Sequence, residues 1–514
     1  MATITVSNTG GNWNATGTWV GGVVPLSTDT VAFTATSGNL TVNVASTCAG
    51  FDMTNYSAGK TITFTSTLTI NGPWNLGSGA YIQAGAGGVI MGASGTITSN
   101  GVTWSRTLTL QGTSQTYTLA GDITTSGLLT FSPSTAMAFV GAYNINVLGG
   151  LTVSGPSGTI SGASTPIIIK GGTWNHTVAS YINNNVTINP STTVILGANQ
   201  FFAVGTLTYT AGAGSVTTGI GTLSINANCT LNTNVMVWNN ITLSATNQTF
   251  TLGSDLNVGG LLTLSPSTAM AFVGAYNINV LGGLTVSGVS TAVISGASTP
   301  IIIKGGTWNH VLATYINNNV TINPTTTVTL GANIFYAVGT LTYSSSGGGS
   351  FVPTGNTLTC NNSVTFNTSG ITFNNVTING ASTVTLSSAF SCNTLQLNNY
   401  AVTFAGGYGF SVGSLVGSGI SGKTITLVSS NTYSISTAFT FNTGTSAAHN
   451  VFKSSTGGVK AILTLQNGAS QDLSFVDFTD IDASLGKTLC TYKGTIATSD
   501  NIRLLPTDFI TVSY

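Results

Sequence analysis

Residues 128–155 read LLTFSPSTAMAFVGAYNINVLGGLTVSG, and residues 261–288 read LLTLSPSTAMAFVGAYNINVLGGLTVSG. Pro133 maps onto Pro266. Further on, STPIIIKGGTWNH ending at His176 returns ending at His310, one position later than the first match sets it. The slip lies between, where SGPSGTISG becomes SGVSTAVISG, and a tolerated insertion marks a loop. Asn183–Thr187 likewise returns at Asn317–Thr321. A fainter third copy begins near residue 362, with ITFNNVTINGASTVTL from Ile371 echoing MVWNNITLSATNQTFTL from Met236. A fixed internal period is the signature of a repeat architecture.

A shorter period runs inside the long one. The pairs Gly259-Gly260, Gly282-Gly283 and Gly305-Gly306 recur at one fixed spacing, and Gly127, Gly150 and Gly172 keep it to within one position. Six units of about 22 residues would fill the long repeat. Each unit holds short alternating runs such as Ile145-Asn146-Val147, Leu151-Thr152-Val153, Thr187-Ile188-Asn189 and Thr206-Leu207-Thr208, bounded by Gly, Asn, Ser or Pro. These are strand signatures. Two or three short strands in a unit of this size match one rung of a β-helix. Alternate residues point inward, and Thr, Ser and Asn between them point out. The sequence therefore predicts an all-β, right-handed parallel β-helix (solenoid) with about 22–23 residues per rung and about 20 rungs. A chain of β-sandwiches, one per long repeat, would also suit the longer period. The shorter period argues against it, because Greek-key connections need not recur at fixed length.

Composition follows from the same geometry. The 514 residues hold ten Lys and Arg, ten acids that are all Asp, and 65 Gly; 4% are charged and the net charge is zero. Like charges stacked about 4.8 Å apart repel, whereas stacked Thr or Asn do not. Glycines suit the corners, where a positive φ or a tight bend is required. No basic field exists to neutralise phosphates, so nucleic-acid binding is excluded. No long uninterrupted apolar run suggests a membrane-spanning helix. Met1–Val6 has no basic flank of the secretory type, and the first basic side chain is Lys60. Cys48, Cys229, Cys360, Cys392 and Cys490 are odd in number and far apart, so they read as small buried hydrophobes rather than disulfides or zinc ligands.

The ends differ from the middle. An open solenoid end exposes its core and strand edges, so caps are expected. Residues 1–45 read as an N-terminal cap, with Trp13 and Trp19 available to plug the core and Pro25 and Asp29 turning into the first strand. The following segments are expected to be first rungs (46–96), long repeat 1 (97–230), long repeat 2 (231–361), a degenerate repeat 3 (362–450), and charged C-terminal rungs with a cap (451–514). The pattern Trp13…Trp19-x-Gly21-Gly22-x-x-Pro25…Asp29-x-Val31 resembles the opening of large repeat-containing β-helical proteins of bacteriophage virions and bacterial surfaces. Ser474–Ser484, SFVDFTDIDAS, resembles their last rungs, although residues 501–514 lack the Trp of their usual ending.

Candidate sites are few. Asp477, Asp480 and Asp482 are the only clustered carboxylates. Asp480 and Asp482 on one strand would share a face able to hold a cation, form an acid/base pair or dock a partner, and a solvated cap explains them as well. Trp174 and His176, with their twins Trp308 and His310, would offer sugar-stacking rings if exposed; packing of a duplicated rung is the plainer reading. Tyr143 and Tyr276, Phe201 and Phe202, and Phe335 and Tyr336 read as core aromatics.

No catalytic motif or cofactor loop is present in the sequence. The resemblance implies a non-catalytic structural component of a phage virion, external in location: a tail fibre, tail-associated or capsid-decorating protein. By analogy with fibres it implies a homo-oligomer, a trimer first, in contact with other virion proteins and possible host-surface glycans. A bacterial adhesin or surface-layer protein and a tailspike-like glycan depolymerase are the alternative expectations.

Overall fold

The computed structural model describes residues 1–505 apart from 157, 163, 297, 337–338, 354–356 and 381. It is all-β, a parallel β-solenoid of about 21 turns. Two compact units divide the chain, one of residues 1–242 and 249–256, the other of 243–248 and 257–514.

In the first unit, nine strands from Ser46–Cys48 to Val216–Thr218 stack in parallel, one from each successive turn. Their registers align like with like. Leu68, Val89, Leu108, Leu129, Leu151 and Trp174 form one inward column. Cys48, Ile70, Met91, Leu110, Phe131, Val153 and His176 form the next. Between them Thr47, Thr69, Ile90, Thr109, Thr130, Thr152 and Asn175 face outward. The period-2 alternation of the sequence has thus become a dry interior and a hydroxyl-coated exterior.

Turn length is not constant. Leu129 pairs with Leu151, and the next turn, from Leu151 to Trp174, is longer by one position. In the second unit a short turn pairs Ile301 with Val320, and a long one pairs Ile425 with Phe452. The long duplication also departs from the expected six whole rungs. Leu262–Pro266 is the nineteenth strand after its twin Leu129–Pro133. At three strands to a turn, that is six turns and one strand. The duplication is out of phase with the coil.

Past residue 370 the second unit changes character. Strands Thr372–Ile378, Phe390–Leu397, Phe410–Gly417 and Thr432–Phe441 are long, and in each the inward–outward alternation slips near the middle. The last shows why: Thr432–Ile435 pairs with residues of Ala461–Leu465, and Ala438–Phe441 with Ser470–Leu473. Two faces run into one another through a bent strand.

Within residues 1–45 parallel pairing already begins, with Thr3–Thr5 against Thr30–Ala32. Trp13 and Trp19 are buried edge to face at 5.0 Å, and the Trp19 indole N–H donates to the Trp13 carbonyl at 2.8 Å. Asp29 accepts from the Ala2 and Leu26 N–H groups, which hold its carboxyl below the usual range. The end of the expected 451–514 segment, from residue 506 onward and with it Asp508, lies outside the described residues.

One corner glycine is demanded twice. Gly172 and its twin Gly306 have φ of 71° and 70°. A Cβ on Gly306 would lie 2.2 Å from the Gly282 carbonyl oxygen. Gly306→Ala should therefore cost about 1–3 kcal/mol. Gly407→Ala, where a Cβ meets nothing within 4 Å, should change stability by less than about 0.5 kcal/mol. Urea unfolding of the two variants checks the contrast.

Candidate functional site

The duplicated Trp–His motif lies inside the coil, in keeping with packing of a duplicated rung and not with the alternative of an exposed sugar platform. Trp174, His176, Trp308 and His310 are 0%, 1%, 1% and 4% exposed. The register explains it: Trp174 and His176 continue the columns of Leu151 and Val153. Each copy forms the same chain of hydrogen bonds. The Trp174 indole N–H donates to His176 Nε2 at 3.1 Å, and His176 Nδ1 donates to the Ser180 carbonyl at 2.9 Å. In the twin, Trp308 donates to His310 at 3.1 Å, and His310 to the Thr314 carbonyl at 3.0 Å. Both imidazoles are held neutral, one ring nitrogen accepting and the other donating. Burial pushes His176 down to about 4 and His310 to about 3. What these residues do is tie a corner to the core.

The three carboxylates do not share a strand face. Asp477 lies on Val476–Thr479, Asp480 is at the following corner with φ 54°, and Asp482 is on Ile481–Asp482. Each has separate partners. Asp477 accepts from His449 Nδ1 at 2.8 Å and from the Thr495 N–H at 2.6 Å. Asp480 accepts from the Thr498 hydroxyl and from the Gly458 N–H, and both lower its pKa. Asp482 is lowered by the Ser484 side chain and N–H. The Asp477 and Asp480 contacts staple successive C-terminal turns, and those of Asp482 close a local turn. Among the described residues no group of three His, Cys or acidic side chains could hold a metal ion. Nor is any helix there long and apolar enough to cross a membrane.

The remaining candidates sort by burial. Cys48, Cys229, Cys360 and Cys392 are buried and free, and burial raises the first three to about 12, so they pack rather than react. Cys490 is half-buried. Phe202 and Tyr336 are core, and Phe201 and Phe335 are half-buried. Tyr143 and Tyr276 correct their expectation, because both stand at corners with about two fifths of their surface exposed.

Two clefts, neither foreseen, open on the outside of the second unit. One, of about 500 Å³, follows the crease of the bent strands and is lined by hydroxyls and amides including Ser391, Asn393, Thr394, Ser411 and Ser414. The other, of about 390 Å³, is lined by Thr291, Val293, Tyr315, Asn317, Asn361, Asn362 and Asn379. Their walls belong to different turns, so no local motif announces them. No family model, curated protein or solved structure matches this chain.

The neutral histidines make a pH prediction. Their folded pKa values lie below the unfolded value of about 6.5, so the unfolded chain binds protons first on acidification. Their effect on stability is constant above about pH 6.5 and grows adverse from there towards pH 4. The loss should reach roughly 3 kcal/mol per histidine. His176→Gln/His310→Gln should show a shallower decline across that window than the parent. Unfolding midpoints measured from pH 7.5 to 4 test this.

Proposed function

We propose that the chain is a non-catalytic structural element of a bacteriophage virion, a tail fibre, tail-associated or capsid-decorating protein whose coil serves as a stiff external scaffold. The observation that carries this reading is where the polar chemistry is spent. Both Trp–His pairs are consumed inside the core, and the Asp477, Asp480 and Asp482 carboxylates are consumed in tying the C-terminal turns. The columns facing solvent carry mainly Thr, Ser and Asn. A neutral exterior removes charge repulsion between neighbouring copies, which suits close packing in an assembly. The resemblance of the Trp13–Val31 segment to phage β-helical proteins supports the virion setting, and fibres of that kind favour a homotrimer.

Gold-labelled antibody raised against the chain should decorate purified virions at a defined position in electron micrographs. Label on the envelope of uninfected cells, with bare particles, would replace the virion role with that of a bacterial adhesin.

A further inference from the structure

The cleft around Tyr315 has the chemistry of a binding site. Strands Val293–Ser295 and Tyr315–Asn317 are neighbours in register, Val293 beside Tyr315 and Ser295 beside Asn317. Ile294 and Ile316 between them point inward and are fully buried, so Val293, Tyr315 and Asn317 face out. The Tyr315 ring is propped edge-on by Phe335 at 5.7 Å. Beyond it an amide ladder climbs the turns: Asn398 Nδ2 donates to Asn379 Oδ1 at 2.7 Å, and Asn379 Nδ2 to Asn361 Oδ1 at 3.2 Å. The ladder fixes the orientation of the Asn361 and Asn379 carboxamides. Asn362 is exposed beside it.

Asn317 Oδ1 is shielded from solvent and has no hydrogen-bond partner among the described residues. The buried amide oxygen of Asn317 is a feature shared with its twin Asn183 and does not distinguish the two regions. The cavity volume of about 390 Å³ falls within the range of small-molecule sites.

We propose that this cleft binds an uncharged oligosaccharide. A sugar ring offers an apolar C–H face and a rim of hydroxyls that both donate and accept. Tyr315 and Val293 supply an apolar surface for the first, and Asn317, Asn361, Asn362 and Asn379 supply donors and acceptors for the second. Among the described residues no Lys, Arg or His lines the cleft, so none of them compensates the carboxylate of an acidic sugar. The aligned region of the first copy keeps Tyr181 and Asn183 but has Thr159, Ala227 and Ser244 where the cleft has Val293, Asn362 and Asn379. That region lacks two of the four carboxamides, which makes it an internal control. The inference goes beyond the virion role and does not depend on where the chain is mounted.

The test is an array of uncharged oligosaccharides of glucose, galactose and N-acetylglucosamine beside uronate- and sialate-containing ones, followed by calorimetric titration of the best binder. The expected result is binding of at least one uncharged chain, weakened tenfold or more by Tyr315→Ala and by Asn362→Ala/Asn379→Ala, and unchanged by Tyr181→Ala. If Tyr315→Ala melts early, the Asn variants decide. Binding of acidic chains alone, no binding at all, or a hit indifferent to the cleft substitutions would overturn the proposal. So would equal loss in Tyr181→Ala. Immunogold placement on the virion would stand or fall separately.

Discussion

Parallel strands in register place each side chain directly over its counterpart one turn away, about 4.8 Å distant. The rest of the molecule depends on that constraint. Stacked Leu, Ile and Val fill a core at every level, and stacked Thr and Asn satisfy one another or water. The Asn361–Asn379–Asn398 ladder shows the polar version of the same rule. Stacked ammonium or carboxylate groups would be destabilising, and only 4% of the chain is charged. Composition is thus a consequence of the winding rather than an independent trait.

Where the constraint relaxes, charge returns. Near the C-terminal end turns lengthen, as the steps from Ile425 to Phe452 and from Phe452 to Phe478 show, and the loops between strands admit Asp480, Lys460 and Asp500. Polar side chains there join different turns: Lys460 pairs with Asp500, and His449 Nδ1 hydrogen-bonds Asp477. Lys493 lies 5.0 Å over the Tyr492 ring. In residues 1–45 the contacts are aromatic instead, with Trp13 packed edge to face against Trp19.

The coil itself was legible because stacking forces a period into the sequence, and glycine pairs mark it. The inward position of Trp174 and His176 was legible too: one rung earlier stand Leu151 and Val153, apolar residues of the same parity. The exposure of Tyr143 and Tyr276 was less accessible, since corner residues escape the strand alternation. The clefts were not legible at all. Their walls join Val293, Tyr315, Asn361 and Asn379 across several turns of unequal length, so no single period brings those positions together. The phase of the duplication was hidden for the same reason, since a six-rung fit and six turns plus one strand differ only in mean turn length.

The claim that stacking dictates the neutral surface can be tested with three lysines. Thr109, Thr130 and Thr152 occupy one outward column in consecutive turns, whereas Thr47, Thr109 and Thr152 occupy the same column with turns skipped between them. Thermal unfolding of the two triple-lysine variants at low and high salt separates position from charge count. The account predicts a clearly lower melting temperature for the consecutive set, largely restored by salt, and little change for the spaced set. Equal melting of the two variants at low salt would contradict it.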